Sequence, residues 1–332
     1  DDPRERDDPR DRDDADPDDG DDATTDDVAD EGVPFQPDSL DIGNGSVWVS
    51  DSSCGLVVEL DQATGEIVAA IDVGGSGTGV AFADDLVWVG NRAIDEIFAI
   101  DPDTREVVGS IPVPGRTLGM GTDCEVVWAV DASNGAVHQL DLEALDVASS
   151  AQVGLFPHYV AVGDDAVWVT NTGEGTVTRV DVDSGDTDTI AVGSEPLHAI
   201  VDGNDVWVSN EFDGTVSRLD ARTGTVLDTI DVSEMPHALE AAAGSIWVGS
   251  EVGELWEIDP ATGEASRVLD VEFVATDMAV DGDEVWVADV NGVVIHFDAA
   301  AGRVAKRTDI DEVGDCAALR DLAGGPLDPS QA

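Results

Sequence analysis

Seven tryptophans recur at an almost fixed interval: Trp48, Trp88, Trp128, Trp168, Trp207, Trp247 and Trp286, at steps of 40, 40, 40, 39, 40 and 39 residues. Only Trp256 lies outside the series. A period near 40 residues marks a repeat architecture in which each unit is one supersecondary element. Each unit reads alike. An apolar run ends in a Gly/Asp/Asn turn, and Val-Trp-Val or a close variant follows, then Asn, Asp or Ser. A second alternating run comes next, then Asp-x-x-Thr-Gly or a relative, then a third run. Ala166-Val-Trp-Val-Thr-Asn171 and Asp205-Val-Trp-Val-Ser-Asn210 show the match. Four short strands per unit, repeated seven times, predict an all-β seven-bladed β-propeller of four-stranded antiparallel blades.

The fourth unit shows the strand pattern. His158–Val162 is the inner strand, Ala166–Thr170 the second, Thr176–Val182 the third and Asp186–Val192 the outer one. Their residues alternate in polarity as half-buried strands do. One blade cannot bury both its faces, so neighbouring blades must supply the core. The repeated Trp is therefore expected between blades. The Asn or Asp three residues after it (Asp51, Asn91, Asp131, Asn171, Asn210, Asp289) is expected to form an Asx-turn.

Residues 1–37 differ. Sixteen of the first thirty are Asp or Glu and four are Arg. Such a segment cannot bury enough apolar surface to offset its ordering entropy, and it reads as a disordered, self-repelling linker. Its removal is expected to leave the fold intact. The propeller is placed at 38–315, and 316–332 is a C-terminal segment that closes the ring and then trails off. The chain starts at Asp1, which fits loss of an upstream signal or anchor and fits an expression fragment equally. No apolar stretch is long enough to span a membrane.

The formal net charge is −58, and Lys306 is the only lysine. Sequence-independent nucleic-acid binding needs clustered Lys/Arg, so it is excluded, and anionic membrane surfaces are disfavoured on the same ground. Acidic residues in every turn fit a halophilic protein or a generally acidic secreted one. A monomer that is extracellular or cell-surface, secreted or tethered, is expected.

The Trp-Val-x-Asn and Asp-x-x-Thr-Gly repeats, as in Leu219-Asp-Ala-Arg-Thr-Gly-Thr-Val-Leu-Asp-Thr-Ile230, resemble the YVTN-type propeller repeat family over roughly residues 38–310. The resemblance implies the fold and leaves activity open.

Three of the five histidines, His158, His198 and His237, open the inner strands of blades four, five and six, two of them directly after Pro. Taken as one repeat position, their equivalents are Asp38, Thr78, Leu118 and Asp277. Inner strands line the central channel, so His158, His198, His237, Asp38 and Asp277 are expected at one mouth. They form a candidate site for a peptide, a small ligand or a protein partner. Three imidazoles and a carboxylate also suit Zn²⁺ chemically, although ligands on separate blades must converge to hold one ion. Glu211, Glu251 and Glu174 fall in turns of the same face. His138 and His296 lie in third strands, out of the channel register. Asp181-Val-Asp-Ser-Gly-Asp186 has fragments of a Ca²⁺ loop but reads as a solvated turn. Nucleophile-elbow and phosphate-loop motifs are missing from the sequence.

The blocks Pro236-His-Ala-Leu with Trp247-Val-Gly-Ser-Glu251, and His198-Ala-Ile with Trp207-Val-Ser-Asn-Glu211, resemble the streptogramin B lyase branch of propellers. That resemblance implies a Mg²⁺-assisted elimination that opens a cyclic depsipeptide, with His237, Glu251 and His198 as catalytic residues. His would act as general base and Glu would position a hydrated cation. The Trp-Phe-Thr-Glu signature of those enzymes is replaced here by Trp-Val-x-Asn. A binding module, a lyase and a tethered sensor ectodomain thus remain as three readings of one mouth.

Three cysteines allow one disulfide and one free thiol. Cys54 sits in the second-to-third strand turn of blade one, and Cys316 follows the outer strand of blade seven. Closure of the ring makes these blades neighbours, so a Cys54–Cys316 bond is expected, with Cys124 free on the opposite face. In the rival arrangement, residues 316–321 would displace 38–43 as the inner strand of blade one.

Self-repulsion of this size weakens a compact fold unless salt screens it. The unfolding midpoint is expected to rise steeply between about 0.05 M and about 2 M NaCl, where the Debye length falls from over ~10 Å to below ~3 Å. A flat curve in a thermal melt series would remove the halophilic reading.

Overall fold

The computed structural model describes residues 32–270, 274–312 and 314–323. The strands β1–β28, numbered in chain order, form seven separate antiparallel sheets of four consecutive strands, followed by one helix, α1 (Cys316–Ala323). The first strand of each sheet is the innermost. These are β1 (Pro37–Gly43), β5 (Gly77–Ala83), β9 (Thr117–Thr122), β13 (Pro157–Val162), β17 (Pro196–Asp202), β21 (Pro236–Ala242) and β25 (Ala275–Asp281). Each touches the next, and β25 touches β1, which closes a seven-bladed ring around a channel.

The core is divided into seven parts, one per blade interface. The Trp of every blade packs into the next. Trp48 meets Val80, Val87, Val89, Phe98 and Ile100 of blade two. Trp168 meets Ala199, Val206, Val208 and Leu219 of blade five. Trp286 completes the circle against Leu40, Val47 and Val49 of blade one. All seven are at most 3% exposed. In three blades the indole Nε1 also donates to the carbonyl five residues earlier, pinning the first hairpin: Trp48 to Gly43, Trp88 to Ala83 and Trp247 to Ala242.

The turn motifs have direct causes. In Asp-x-x-Thr-Gly, the Asp carboxylate accepts both the Thr N–H and the Thr hydroxyl, at 2.7 and 2.8 Å in Asp61/Thr64 and again in Asp220/Thr223. The following Gly takes a positive φ, 61° at Gly65 and 70° at Gly224, which it tolerates at little cost. The expected Asx-turns form at Asp51, Asn91, Asp131 and Asp289, each accepting the N–H two residues on. Asn171 and Asn210 do something else. Their Oδ1 atoms accept from Gly154 and Gly193 in the incoming loop, and their Nδ2 groups donate to the hydroxyls of Thr176 and Thr178, and of Thr215 and Ser217.

Both chain ends supply whole blades, so no strand is exchanged across the seam between blades seven and one. Other contacts hold it. Cys54 and Cys316 form the expected disulfide, with a Cα separation of 6.2 Å, and Cys124 is free and exposed. Residues 316–321 do not displace β1; they lie in α1. Arg320 of α1 pairs with Asp72 and donates to the Cys54 carbonyl. Lys306 and Thr308 of β28 (Arg303–Asp309) donate to the carbonyls of Thr64 and Gly65 in blade one. Closing so long a loop removes unfolded-state entropy worth about 3–5 kcal/mol in the chain-entropy picture.

The expected linker 1–37 lies outside the described residues up to position 31. Its last part does not behave as a linker. Phe35 is fully buried with Ile310, Cys316 and Leu319 in the seam core. The N–H of Phe35 donates to Asp311 at 3.0 Å, and the Val33 carbonyl accepts from Cys316 at 3.0 Å. Composition over a window conceals one aromatic side chain that packs. Deletion of residues 1–31 is expected to leave the thermal midpoint unchanged. Deletion of 1–37 is expected to cost about 3–5 kcal/mol, the scale of emptying a buried Phe site. Equal midpoints for the two truncations would show that Phe35 does not close the seam.

Candidate functional site

The residues at the starts of the inner strands are positioned by one constant. In every blade the strand opener lies 11 residues before the repeat Trp, from Pro37/Trp48 to Ala275/Trp286. His158 and His237 stand one residue inside the opener, level with Asp38, Thr78, Leu118, Leu197 and Thr276. His198 and Asp277 stand two residues inside. The expected single ring is therefore two stacked layers, and the equivalence of His198 and Asp277 with His158 and His237 is corrected by one residue. The second layer is Ser39, Gly79, Gly119, Tyr159, His198, Ala238 and Asp277. A register shift between the opener and the fourth residue of the strand, as between Pro157 and Val160 or Pro196 and Ala199, spans the two layers.

The two layers enclose one cavity of about 340 Å³, which His158, His198, His237, Asp38, Asp277, Tyr159, Arg92 and Arg116 all line. His198 is 3% exposed, and neither ring nitrogen has an aligned hydrogen-bond partner. Its Nε2 lies 3.3 Å from Asp277 Oδ1, and its ring lies on Tyr159 with centroids 3.7 Å apart. His158 meets His237 edge-on at 6.4 Å. Burial, and then its two histidine neighbours, hold the His158 imidazole down to about 4. Burial pushes Asp38 up to about 6 against the opposing pull of Arg92. Asp277 has a structural task as well: its Oδ2 accepts from the Ser39 hydroxyl at 2.6 Å and from the Leu40 N–H at 3.1 Å, stitching blade seven to blade one. Oδ1 accepts the Met278 N–H at 2.9 Å and turns its remaining face to His198.

Glu251 lies beside this cavity, with Oε1 3.2 Å from His237 Nδ1, and that contact holds its carboxyl below the usual range. Glu211 is nearly buried, and its carboxyl is raised by burial and then by the Glu251 charge. Glu174 is exposed and stands apart. His138 is buried against Ser150 and Asp131, and His296 stacks on Trp286, so neither belongs to the channel.

A single ion held by His158, His198 and His237 does not fit. Among the described residues, the only trio of ligand-type side chains with its atoms within 4.8 Å of one another is Asp51, Cys54 and Cys316, where the cysteines are already bonded together. The turn at Asp181 is filled from within, by the N–H and hydroxyl of Ser184.

Three features escape the sequence reading. Arg92 and Arg116 face the cavity from blades two and three, and the signal was their rarity in so acidic a chain. Tyr159, the only tyrosine, supplies the aromatic face under His198. Phe156, Glu195 and Met235 each precede the opening Pro of blades four to six and take φ of 50°, 54° and 52°. Residues before proline normally stay extended, so this is strained backbone. It is held by N–H donation from Thr172, Glu211 and Glu251 to their carbonyls, at 3.0–3.1 Å. On the same face Phe156 is 67% and Phe212 70% exposed.

Residues 53–308 match the family model described as outer membrane protein assembly factor BamB. The chain belongs to the BamB family. No curated protein matches it in sequence. Among solved structures it is similar to the computationally designed Ika8 protein, with a TM-score of 0.65 at 17% identity over 84% of this chain and 88% of that one. Likeness at that identity shows the fold alone. With 1714 solved chains matching, the fold is too widely shared to choose an activity.

In this BamB-family propeller a second cavity follows along the same channel, and Tyr159 lines both. Its polar residues include Asp41 and Glu240, which share a layer four residues inside their strand openers. Burial raises Asp41 to about 6, and it accepts the Phe82 N–H at 2.8 Å. Burial raises Glu240 to about 8. Because the folded value is raised, the folded state holds this proton more tightly than the unfolded chain does. The resulting stability is full below the ordinary value of 4.5 and is lost as pH rises through 8. Glu240→Gln is expected to leave the urea midpoint near wild type at pH 4.5 and to exceed wild type above pH 8. A difference that does not change with pH would mean that Glu240 is solvated.

Proposed function

We propose that this chain is a monomeric binding module that works outside the cytoplasm and holds a peptide, a small ligand or a segment of a protein partner at the His/Asp-lined mouth. The observation that carries this reading is His198. A nearly fully buried imidazole whose Nδ1 has no partner and whose Nε2 meets only Asp277 Oδ1, at 3.3 Å and poorly aligned, facing a cavity of about 340 Å³, leaves a desolvation cost that a bound group would relieve. The cavity falls in the size range of small-molecule sites, with polar groups converging from several blades. Membership of the BamB family fits partner binding in general, and the YVTN-type repeats fit an exported propeller. The disulfide favours an oxidising compartment. Among the described residues no helix is long and apolar enough to cross a membrane.

The His237–Glu251 pair supports a second reading, a lyase. Glu251 orients the imidazole, and His237 would take a proton from a substrate seated over the cavity. No step through a cation follows from these residues, because they do not gather around one point.

Non-denaturing mass spectrometry of protein isolated in its native salt tests the binding reading. A bound mass is expected with wild type and is expected to be lost in His198→Ala. A mass kept equally by both would place the ligand elsewhere. Incubation with a cyclic depsipeptide separates the lyase: identical traces from wild type and His237→Ala would remove it.

A further inference from the structure

The rim of the mouth is polarised across its diameter. The residue four after each repeat Trp sits on this rim: Ser52, Arg92, Ala132, Thr172, Glu211, Glu251 and Val290. Each donates its N–H to the residue just before the neighbouring strand opener in its own blade. Arg92 therefore stands on blade two, with Arg116 just before the opener of blade three. Glu211 and Glu251 stand on blades five and six, with Glu195 just before the opener of blade five.

The cationic side is built. Arg92 Nε donates to Ser76 Oγ at 2.8 Å, and Nη2 reaches the Ser52 carbonyl at 3.5 Å, which fixes the guanidinium without neutralising it. Arg116 has no side-chain partner among the described residues and lines the same cavity. Among the described residues neither forms an ion pair with a carboxylate, in a chain where Asp and Glu outnumber Lys and Arg 73 to 15. Arg105, Arg179, Arg218, Arg267, Arg303 and Arg320 do, and of the described arginines that do not, Arg222 and Arg307 lie on the outer part of their blades while Arg92 and Arg116 line the cavity. The anionic side is crowded. Glu211, 9% exposed, is raised by burial and then by the charges of Glu251 and Glu195, with His237 alone opposing. Glu195 has a buried oxygen with no partner. Below the rim, His198 of blade five reaches toward Asp277 of blade seven, at 3.3 Å, with its Nδ1 unpartnered.

We infer that the mouth takes a small zwitterion, with its carboxylate on Arg92 and Arg116 and its ammonium toward Glu195, Glu211 and Glu251. This rests on the binding reading above and adds a ligand class to it. A planar carboxylate matches the guanidinium fork. A simple dianion would face Asp38 and Asp277 and the three glutamates. A simple cation would face two arginines. Only a molecule with both charges meets both halves. A free amino acid-like compound and the two ends of a short peptide share this chemistry.

The test follows imidazole NMR signals at constant ionic strength, with His138 and His296, outside the channel, as internal controls. The probes are 6-aminohexanoate and triglycine, against hexanoate and hexylamine. A zwitterion is expected to shift the His158, His198 and His237 signals and to saturate at about tenfold lower concentration than either singly charged probe, an added ~1.4 kcal/mol. The better of 6-aminohexanoate and triglycine tells a free zwitterion from a peptide. Joint replacement Arg92→Gln and Arg116→Gln is expected to weaken the zwitterion and hexanoate but not hexylamine. Glu211→Gln with Glu251→Gln is expected to do the reverse. Hexanoate or hexylamine matching the zwitterion would overturn the ligand class while leaving the mouth a binding site. No response to any probe would also overturn it, and the mass measurement would still decide the binding reading on its own. The ranking of probes on wild type stands even where a variant fails to fold.

Discussion

The structure depends on a tryptophan inserted from each blade into the next. A four-stranded blade has two apolar faces and no partner of its own. The Trp and the β-branched residues around it turn seven such sheets into seven interfaces, each with its own buried cluster. Because the last interface must join blade seven to blade one, the ring closes only if the seam is as good as the rest. Here it is reinforced by Phe35, α1, the Cys54–Cys316 bond and Asp277. The same closure brings the inner strands into a channel, so the site is a consequence of the core.

The fold was legible because the Trp period is a global constraint stated locally seven times. The disulfide was legible because ring closure made two distant turns neighbours. The site was legible in part. Counting along the chain gathered His158, His198, His237, Asp38 and Asp277 around one cavity, yet placed all of them in one layer. The fixed 11-residue interval from strand opener to Trp puts His198 and Asp277 one residue deeper. Pro196-Leu197-His198 differs from Pro157-His158 by one residue, and that residue moves the ring from beside His158 onto Tyr159. Side-chain direction also escaped: nothing in the sequence says that Arg92 and Arg116 stay unpaired while six other arginines find carboxylates. Phe35 was hidden by its acidic neighbours.

The proposed function rests on the contrast between the mouth and the rest of the surface. Most of this protein repels anions. Its channel mouth sets two arginines and three imidazoles among buried and half-buried carboxylates, on backbone strained in the three blades that supply those imidazoles. A widely shared fold gives no reason for this concentration of polar groups, and that is what supports the proposed binding role.

The central claim is that repeat register gathers the histidines, His198 buried and His158 and His237 half-buried, in one water-poor mouth. The imidazole titration of His158, followed by NMR in the oxidised full-length protein, tests it most directly. Burial beside His237 and His198 predicts a midpoint of about 4. A midpoint at the ordinary value of 6.5 would show a solvated ring and contradict the account.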